Sequence, residues 1–222
     1  MFGFVELKKN VIILDRNTNL AEMNNSEITK EDKIRQEVID AARKLFQQYG
    51  LFKTTMEDIA KNLNKGKSTL YYYYKNKNEI FEAVIDQEIL DVFQEIRSAT
   101  EKEKSGEDKL RIYFTTAISS IQKRILLYRI MKGEIGEHLR TIVNLKNKMD
   151  ISEILFIKEI LQVGIDRKEW ISSIEKDLDL IAYVIVSGIR SITMDLVVEN
   201  RFPDWDERIV ILSEVFIRGL KQ

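Results

Sequence analysis

Cysteine is absent from the 222 residues, which removes a disulfide framework, a thiolate metal site and a thiol nucleophile together. Histidine occurs once, at His138, so a multi-histidine zinc site is excluded and any histidine-based triad would rest on one residue. Proline also occurs once and glycine nine times, so turn punctuation is sparse. That argues against a many-stranded sandwich or barrel and for long helices. No apolar run approaches the ~18 residues that a membrane span needs. The run Val11-Ile12-Ile13-Leu14, behind Lys8 and Lys9, falls short of the ~7 apolar residues of a secretory signal. A phosphate-binding glycine loop is missing too, and no clustered carboxylate pair stands out, so an enzyme is not expected. Neither is a cofactor or a metal. The expectation is a soluble, cytoplasmic protein.

What is present is a helical composition, 44% hydrophobic and 32% charged, with ample material for a core. The net charge of −1 conceals an asymmetry. Residues 29–78 hold eleven Lys/Arg against six Asp/Glu, a surplus of +5, which leaves −6 for the remainder. A basic unit on an acidic body points to a polyanion met through one end.

The chain divides into three parts. Residues 1–28 alternate weakly and then turn polar from Asn17 to Ser26. They read as an N-terminal extension, either a true, disordered arm or sequence upstream of a translation start at Met23. Helical periodicity begins at Thr29, where Ile34, Val38, Ala41, Ala42, Leu45, Phe46 and Tyr49 form one stripe that ends at Gly50. Thr55 is a natural N-cap for a short helix from Met56 to Leu63, with Asp58 completing the cap. Asn64-Lys65-Gly66 breaks it, and a second short helix covers Lys67 to Tyr73. A fourth helix starts near Lys77. Ser105-Gly106-Glu107 reads as a linker, and further helices are expected over 108–120, 122–132, 136–164, 174–199 and 204–220.

Two short helices joined by three or four residues inside the basic segment make a helix-turn-helix. Ile59, Ala60 and Leu63 of the first would pack on Leu70 of the second, fixing the second so that its N-terminal end can enter the major groove. From Ile34 to Phe81 the residues resemble the DNA-binding domain of the TetR family of transcriptional regulators. The resemblance is carried by Ile39-Asp40-Ala41-Ala42-Arg43-Lys44-Leu45-Phe46, by Tyr49-Gly50 and by Thr54-Thr55-Met56-Glu57-Asp58-Ile59-Ala60. It continues through Lys67-Ser68-Thr69-Leu70-Tyr71-Tyr72-Tyr73-Tyr74-Lys75-Asn76-Lys77 and closes with Glu79-Ile80-Phe81. The turn departs from the family pattern at Asn64, Lys65 and Gly66, and Ser68 stands where glycine is common.

The resemblance implies an all-α protein. Residues 29–78 would form a three-helix DNA-binding domain, and residues 79–222 a helical domain for ligand binding and dimerisation. It implies phosphate contacts for Thr55, Tyr73 and Lys77. Lys67, Ser68 and Thr69 open the reading helix, with Tyr71 and Tyr72 one turn on; all can address base edges. Four consecutive tyrosines sweep about 300° of a helix and cannot all be buried. With Leu70 inward, Tyr73 and Tyr74 should lie toward the packed side and Tyr71 and Tyr72 toward DNA.

In the body, Ile185, Gly188, Ile189 and Ile192 on one helix and Leu212 and Phe216 on the next are candidates for a two-fold four-helix interface. Ordinary intramolecular core is the competing reading of the same stripes. Tyr113, Phe114, Tyr128, Met131, His138, Met149, Phe156 and Arg190 are candidates for a ligand pocket, on helices that the family arranges around its cavity. The function expected is a homodimeric repressor, nucleoid-associated, that leaves a palindromic double-stranded operator when an unidentified small molecule binds. The alternative is a non-sensing DNA-binding factor, of the nucleoid or division kind, on the same fold.

Overall fold

The computed structural model describes residues 29–124, 151–193 and 205–221, and among these there are helices and no strand. The expectations for residues 1–28 therefore lie outside the described residues. Helix α1 spans Lys30–Tyr49, α2 Met56–Asn62, α3 Lys67–Tyr73 and α4 Lys77–Thr100. Helix α5 spans Gly106–Lys123, and α6 covers 151–166. A 3₁₀ turn, Ser172–Asp177, leads into α7 (Leu178–Thr193), and α8 is Trp205–Leu220.

Local chemistry explains the first boundaries. Thr29 and Thr55 each close a capping box: the hydroxyl accepts from the third helical N–H while that residue's carboxylate accepts from the cap's own N–H. Asn76 caps α4, its side-chain oxygen accepting from Glu79 N–H at 2.9 Å. Helix α1 stops at Gly50, whose φ of 84° suits a residue without a β-carbon. Asn64 takes the left-handed conformation (φ 53°) that turns the chain between α2 and α3.

Two apolar cores result among the described residues. The first gathers Val38, Ala42 and Phe46 of α1, Ile59 of α2, Leu70 of α3 and Ile80, Phe81 and Val84 of α4. Phe46 and Phe81 meet edge to face at 5.8 Å. The second gathers Val92 and Ile96 of α4, Tyr113 and Phe114 of α5, Ile157 of α6, Ile185 and Ile189 of α7 and Ile217 of α8. Helix α4 thus belongs to both, and the first core runs seven residues past a boundary drawn at residue 78, as far as Ile85.

Where α4 passes from one core to the other it carries Glu88, a buried carboxylate. Arg43 Nε of α1 and Arg124 Nε, just after α5, each lie 2.8 Å from its oxygens. Arg43 also reaches Asp91 (3.3 Å) and Arg124 reaches Glu95 (3.1 Å). The basic domain and the body are joined here by shared charge rather than by a continuous apolar seam.

Two expectations in the body are corrected. Gly106 is not linker but the first residue of α5, with Ser105 capping it by accepting from Asp108 N–H at 2.9 Å. Glycine is required there for contact rather than flexibility. Gly106 and Gly164 approach so closely, beneath the Trp170 ring, that a β-carbon on either would collide. The helix expected from residue 174 begins instead as the 3₁₀ turn and becomes α-helical at Leu178.

Candidate nucleic-acid interface

Helix α3 is only seven residues long and buries one of them, Leu70. The tyrosine run divides around it as helical geometry dictates. Tyr74 is 7% exposed and Tyr73 half-buried, whereas Tyr71 and Tyr72 are 47% and 72% exposed. Lys67 and Ser68 are exposed beside them and Thr69 is half-buried. Lys67 lies 3.8 Å from Glu57, with both side chains more than half exposed, so this pair leaves the ammonium available. The outward face of α3 therefore offers a cation, a hydroxyl and two phenols on one short, rigid support.

The three residues expected at phosphate are placed differently from one another. Thr55 is exposed at the N-terminus of α2, its hydroxyl accepting from Asp58 N–H and donating to the Asp58 carboxylate. Those bonds from the Thr55 hydroxyl and N–H hold the Asp58 carboxyl below its usual range. Lys77 is the surprise. Its ammonium donates to the carbonyls of Leu51 (2.6 Å), Thr54 (2.8 Å) and Phe52 (3.3 Å). The side chain is occupied in tying down the α1–α2 loop. Tyr73 is held from behind: Arg35 Nη1 of α1 donates to its carbonyl at 2.9 Å.

Lys65, where the family pattern has an apolar residue, is half-buried and pairs with Glu37 of α1 at 3.1 Å. The side chain thus fills the turn and finds its counter-ion within the domain. Arg35, Glu37 and Glu31 were not visible as site residues in the sequence. Their partners lie tens of residues away, and nothing in their spacing marks them. Glu31 accepts a long bond, 3.4 Å, from the Tyr72 hydroxyl.

In the body the pocket candidates separate. Tyr128, Met131, His138 and Met149 lie outside the described residues. Phe114 packs on Phe216 and Phe156 on Phe93, both as core. Tyr113 and Arg190 are brought together by a residue that the sequence reading missed, Glu153 of α6. The Tyr113 hydroxyl donates to one of its oxygens at 2.6 Å, and Arg190 donates to the other at 3.0 Å. Burial, reinforced by the Glu153 charge, pushes the Tyr113 hydroxyl well above its ordinary range, so it stays a donor. An open cleft of about 530 Å³ lies elsewhere, between α1 and α2, lined by Leu45, Tyr49, Lys53, Asp58 and Lys61 among others.

Four of the six interface candidates turn inward. Ile185 and Ile189 are buried in the body's own core, and Leu212 and Phe216 pack against it, with Ile192 half-buried. Helix α7 is apolar on more than one side, and the stripe buried in the body's core is the one containing Ile185 and Ile189. The outward stripe of α7 is Leu180, Tyr183 and Val184, and that of α8 is Ile211 and Val215. Gly188 belongs with the outward set, since nothing lies within 4 Å of where its β-carbon would be.

The family described as "Bacterial regulatory proteins, tetR family" matches residues 38–84, the span from the middle of α1 to the first turns of α4. The HTH-type transcriptional regulator YhgD of Bacillus subtilis (strain 168), itself uncharacterized, is 26% identical over 186 residues, covering 82% of this chain and 94% of that protein. The biofilm operon icaADBC HTH-type negative transcriptional regulator IcaR of Staphylococcus epidermidis is 26% identical over 149 residues, 64% of this chain and 78% of its own length. A transcriptional regulator from Cytophaga hutchinsonii shares the fold, with a TM-score of 0.68 at 23% identity, over 86% of this chain and 100% of that one. With a helix-turn-helix whose second helix turns its polar face outward, residues 38–84 match the DNA-binding domain of the TetR family, and the chain is a DNA-binding transcriptional regulator.

Proposed function

We propose that this regulator is a homodimeric repressor that reads a palindromic operator with α3 and is released when a small molecule binds the body. The observation that carries the DNA part is the exposed face of α3, where Lys67, Ser68, Tyr71 and Tyr72 stand together on a helix anchored by Leu70. Thr69 adds a methyl and a hydroxyl at the rim. Phosphates on either side would be met by the N-terminus of α2 at Thr55 and by Tyr73. At the start of α4 the backbone N–H groups take the role first given to the Lys77 ammonium, since that ammonium already has three carbonyls. Repression is favoured by the Staphylococcus epidermidis relative, a negative regulator by name. The protein would act on the nucleoid, in the cytoplasm; among the described residues no helix is long and apolar enough to cross a membrane.

The partner is a second copy, met through Leu180, Tyr183 and Val184 of α7 and Ile211 and Val215 of α8. Those side chains are large, apolar and exposed on two helices that both pack on α5, and two such pairs would make a four-helix bundle about a two-fold axis. Release requires the body to move the reading helices, for which α4 is suited because it is built into both cores. A coupling of about 1–3 kcal/mol between ligand and operator is enough. The test is selection of duplex DNA from a random library, followed by sedimentation of the complex. A palindrome bound by two copies is the expected result; enrichment of no sequence would overturn the reading.

A further inference from the structure

Helix α3 is poorly determined by its own sequence. Seven residues are too few for a stable isolated helix, so tertiary contacts must supply its order. Its N-cap is Gly66, which offers no side-chain hydrogen bond to the first turn. Leu70 is the one buried residue within it, and a single apolar anchor fixes position better than rotation about the helix axis. Rotation is what matters for reading, because it decides which of Tyr71, Tyr72 and Thr69 addresses which base edge.

The other end of α3 is held by a residue of α1. Arg35 Nη1 donates to the Tyr73 carbonyl at 2.9 Å, where the carbonyls at a helix C-terminus lack partners and carry partial negative charge. The same guanidinium lies over two rings, 5.6 Å from the centre of Tyr73 and 5.4 Å from that of Tyr74. Tyr73 in turn meets the Tyr72 ring edge to face at 5.0 Å. One planar cation therefore grips the helix end, the ring behind it and, through that ring, the most exposed phenol of the reading face.

We propose that Arg35 is a positioning residue for sequence reading: it fixes the rotation of α3 from behind and so sets where Tyr72 points. This rests on α3 being the helix that enters the groove. A guanidinium suits the task because its fork can donate to a carbonyl while its plane stacks on an aromatic ring, which an ammonium cannot reproduce. The proposal separates Arg35 from the cations that meet phosphate. A phosphate cation adds affinity for all DNA, whereas a positioning residue adds affinity only for the right sequence.

The probes are the duplex that the wild-type protein selects from a random library and a permuted duplex of the same composition. Each is titrated with wild type, Arg35→Gln and Arg35→Lys over a range of salt. Arg35→Gln should bind the selected duplex about tenfold more weakly and the permuted one equally well, with the slope of log affinity against log salt unchanged. Arg35→Lys should fall between, and reselection with Arg35→Gln should yield a degenerate consensus. Equal losses on both duplexes, with the slope shallower by about 0.9, would make Arg35 a phosphate contact and overturn the proposal. An unchanged ratio between the duplexes would make it a surface residue and overturn it equally. Should Arg35→Gln melt below the assay temperature, Arg35→Lys carries the same test, because it keeps the charge and loses the fork. If wild type selects no sequence, the groove reading fails and this proposal with it.

Discussion

The helix-turn-helix domain and the body are both helical, but they are specified at different ranges. In the domain, helix starts are set by neighbours in sequence: Thr29 with Asp32, Thr55 with Asp58, Asn76 with Glu79. The body has one such start, Ser105 with Asp108, and adds ties between distant segments. Arg111 of α5 binds Glu214 of α8 at 2.8 Å, Lys221 binds Glu107 at 2.6 Å, and the Ile171 N–H donates to the Leu220 carbonyl at 3.0 Å. A domain whose helix starts are set locally, and whose reading helix is held by α1 of the same domain, keeps one shape wherever it is attached, as a device for reading a fixed duplex must. A body specified by long-range contacts can be retuned by a change at any one of them, which suits the ligand-responsive role proposed for it.

That contrast is broken most severely by charge in the second core. Ile189→Asp should destabilise the body by several kcal/mol, since it would place a carboxylate in the apolar core to which Ile189 belongs. Tyr183→Asp, on the outward stripe of the same helix, should leave the subunit folded and monomeric by light scattering. If Ile189→Asp gives folded monomers and Tyr183→Asp folded dimers, the two faces of α7 have been exchanged.

Next in size is Gly164→Ala. The added methyl is driven into the Trp170 ring, a rigid and buried obstacle, at a cost of about 3 kcal/mol. The two cores should then melt apart, the body first, in a calorimetric scan; a single unchanged transition would contradict it.

The junction comes third. Glu88→Ala removes the shared carboxylate and leaves Arg43 to Asp91 and Arg124 to Glu95, and about 2 kcal/mol should be lost. The figure lies below that for a fully buried pair because both arginines keep some contact with water. Double-mutant cycles in urea between Arg43→Met and Arg124→Met should be non-additive only while Glu88 is present.

The smallest effect is the dependence on acid. Hydrogen bonds from Thr29 and Thr55 lower the carboxyls of Asp32 and Asp58, and Lys123 and Lys221 lower those of Glu95 and Glu107. A carboxyl depressed by folding stabilises fully above its unfolded value, near ~4, and that contribution is lost as pH falls through the folded value. Stability should therefore be flat near neutrality and decline below about pH 4. Glu107→Gln should flatten the decline in the body alone, read from urea midpoints against pH.

The domain was legible because its signals are local. The capping residues, the turn at Asn64 and the outward placement of Tyr71 and Tyr72 all follow from spacing within one helix or between neighbours. The same logic assigns the Lys77 ammonium to phosphate from its place at a helix start, and could not show the three carbonyls of the α1–α2 loop that surround it. Arg35 was invisible for the converse reason, since its partner lies 38 residues on. In the body, periodicity identified α7 as amphipathic but could not say which of two apolar faces looks inward. The stripe with Ile185 and Ile189 reads as well for one as for the other until the rest of the body's core is placed against it. Gly106 misled because glycine signals either freedom or contact, and only the presence of Gly164 and Trp170 decides.

The Trp170 ring, wedged over Gly106 and Gly164, has an optical consequence. It is one of two tryptophans in the chain, the other being Trp205. Its ring is buried, and its indole N–H has no acceptor among the described residues. Such an indole emits toward the blue and is quenched little by solvent, so it reports directly on whether the end of the body is closed. With Trp205→Phe the protein becomes a single-chromophore sensor of its own body. A chain without cysteine can also take one engineered thiol for an acceptor dye without competing sites. Energy transfer from Trp170 to a dye on the basic domain would then follow the distance between the two units in real time, as DNA or candidate effectors are added.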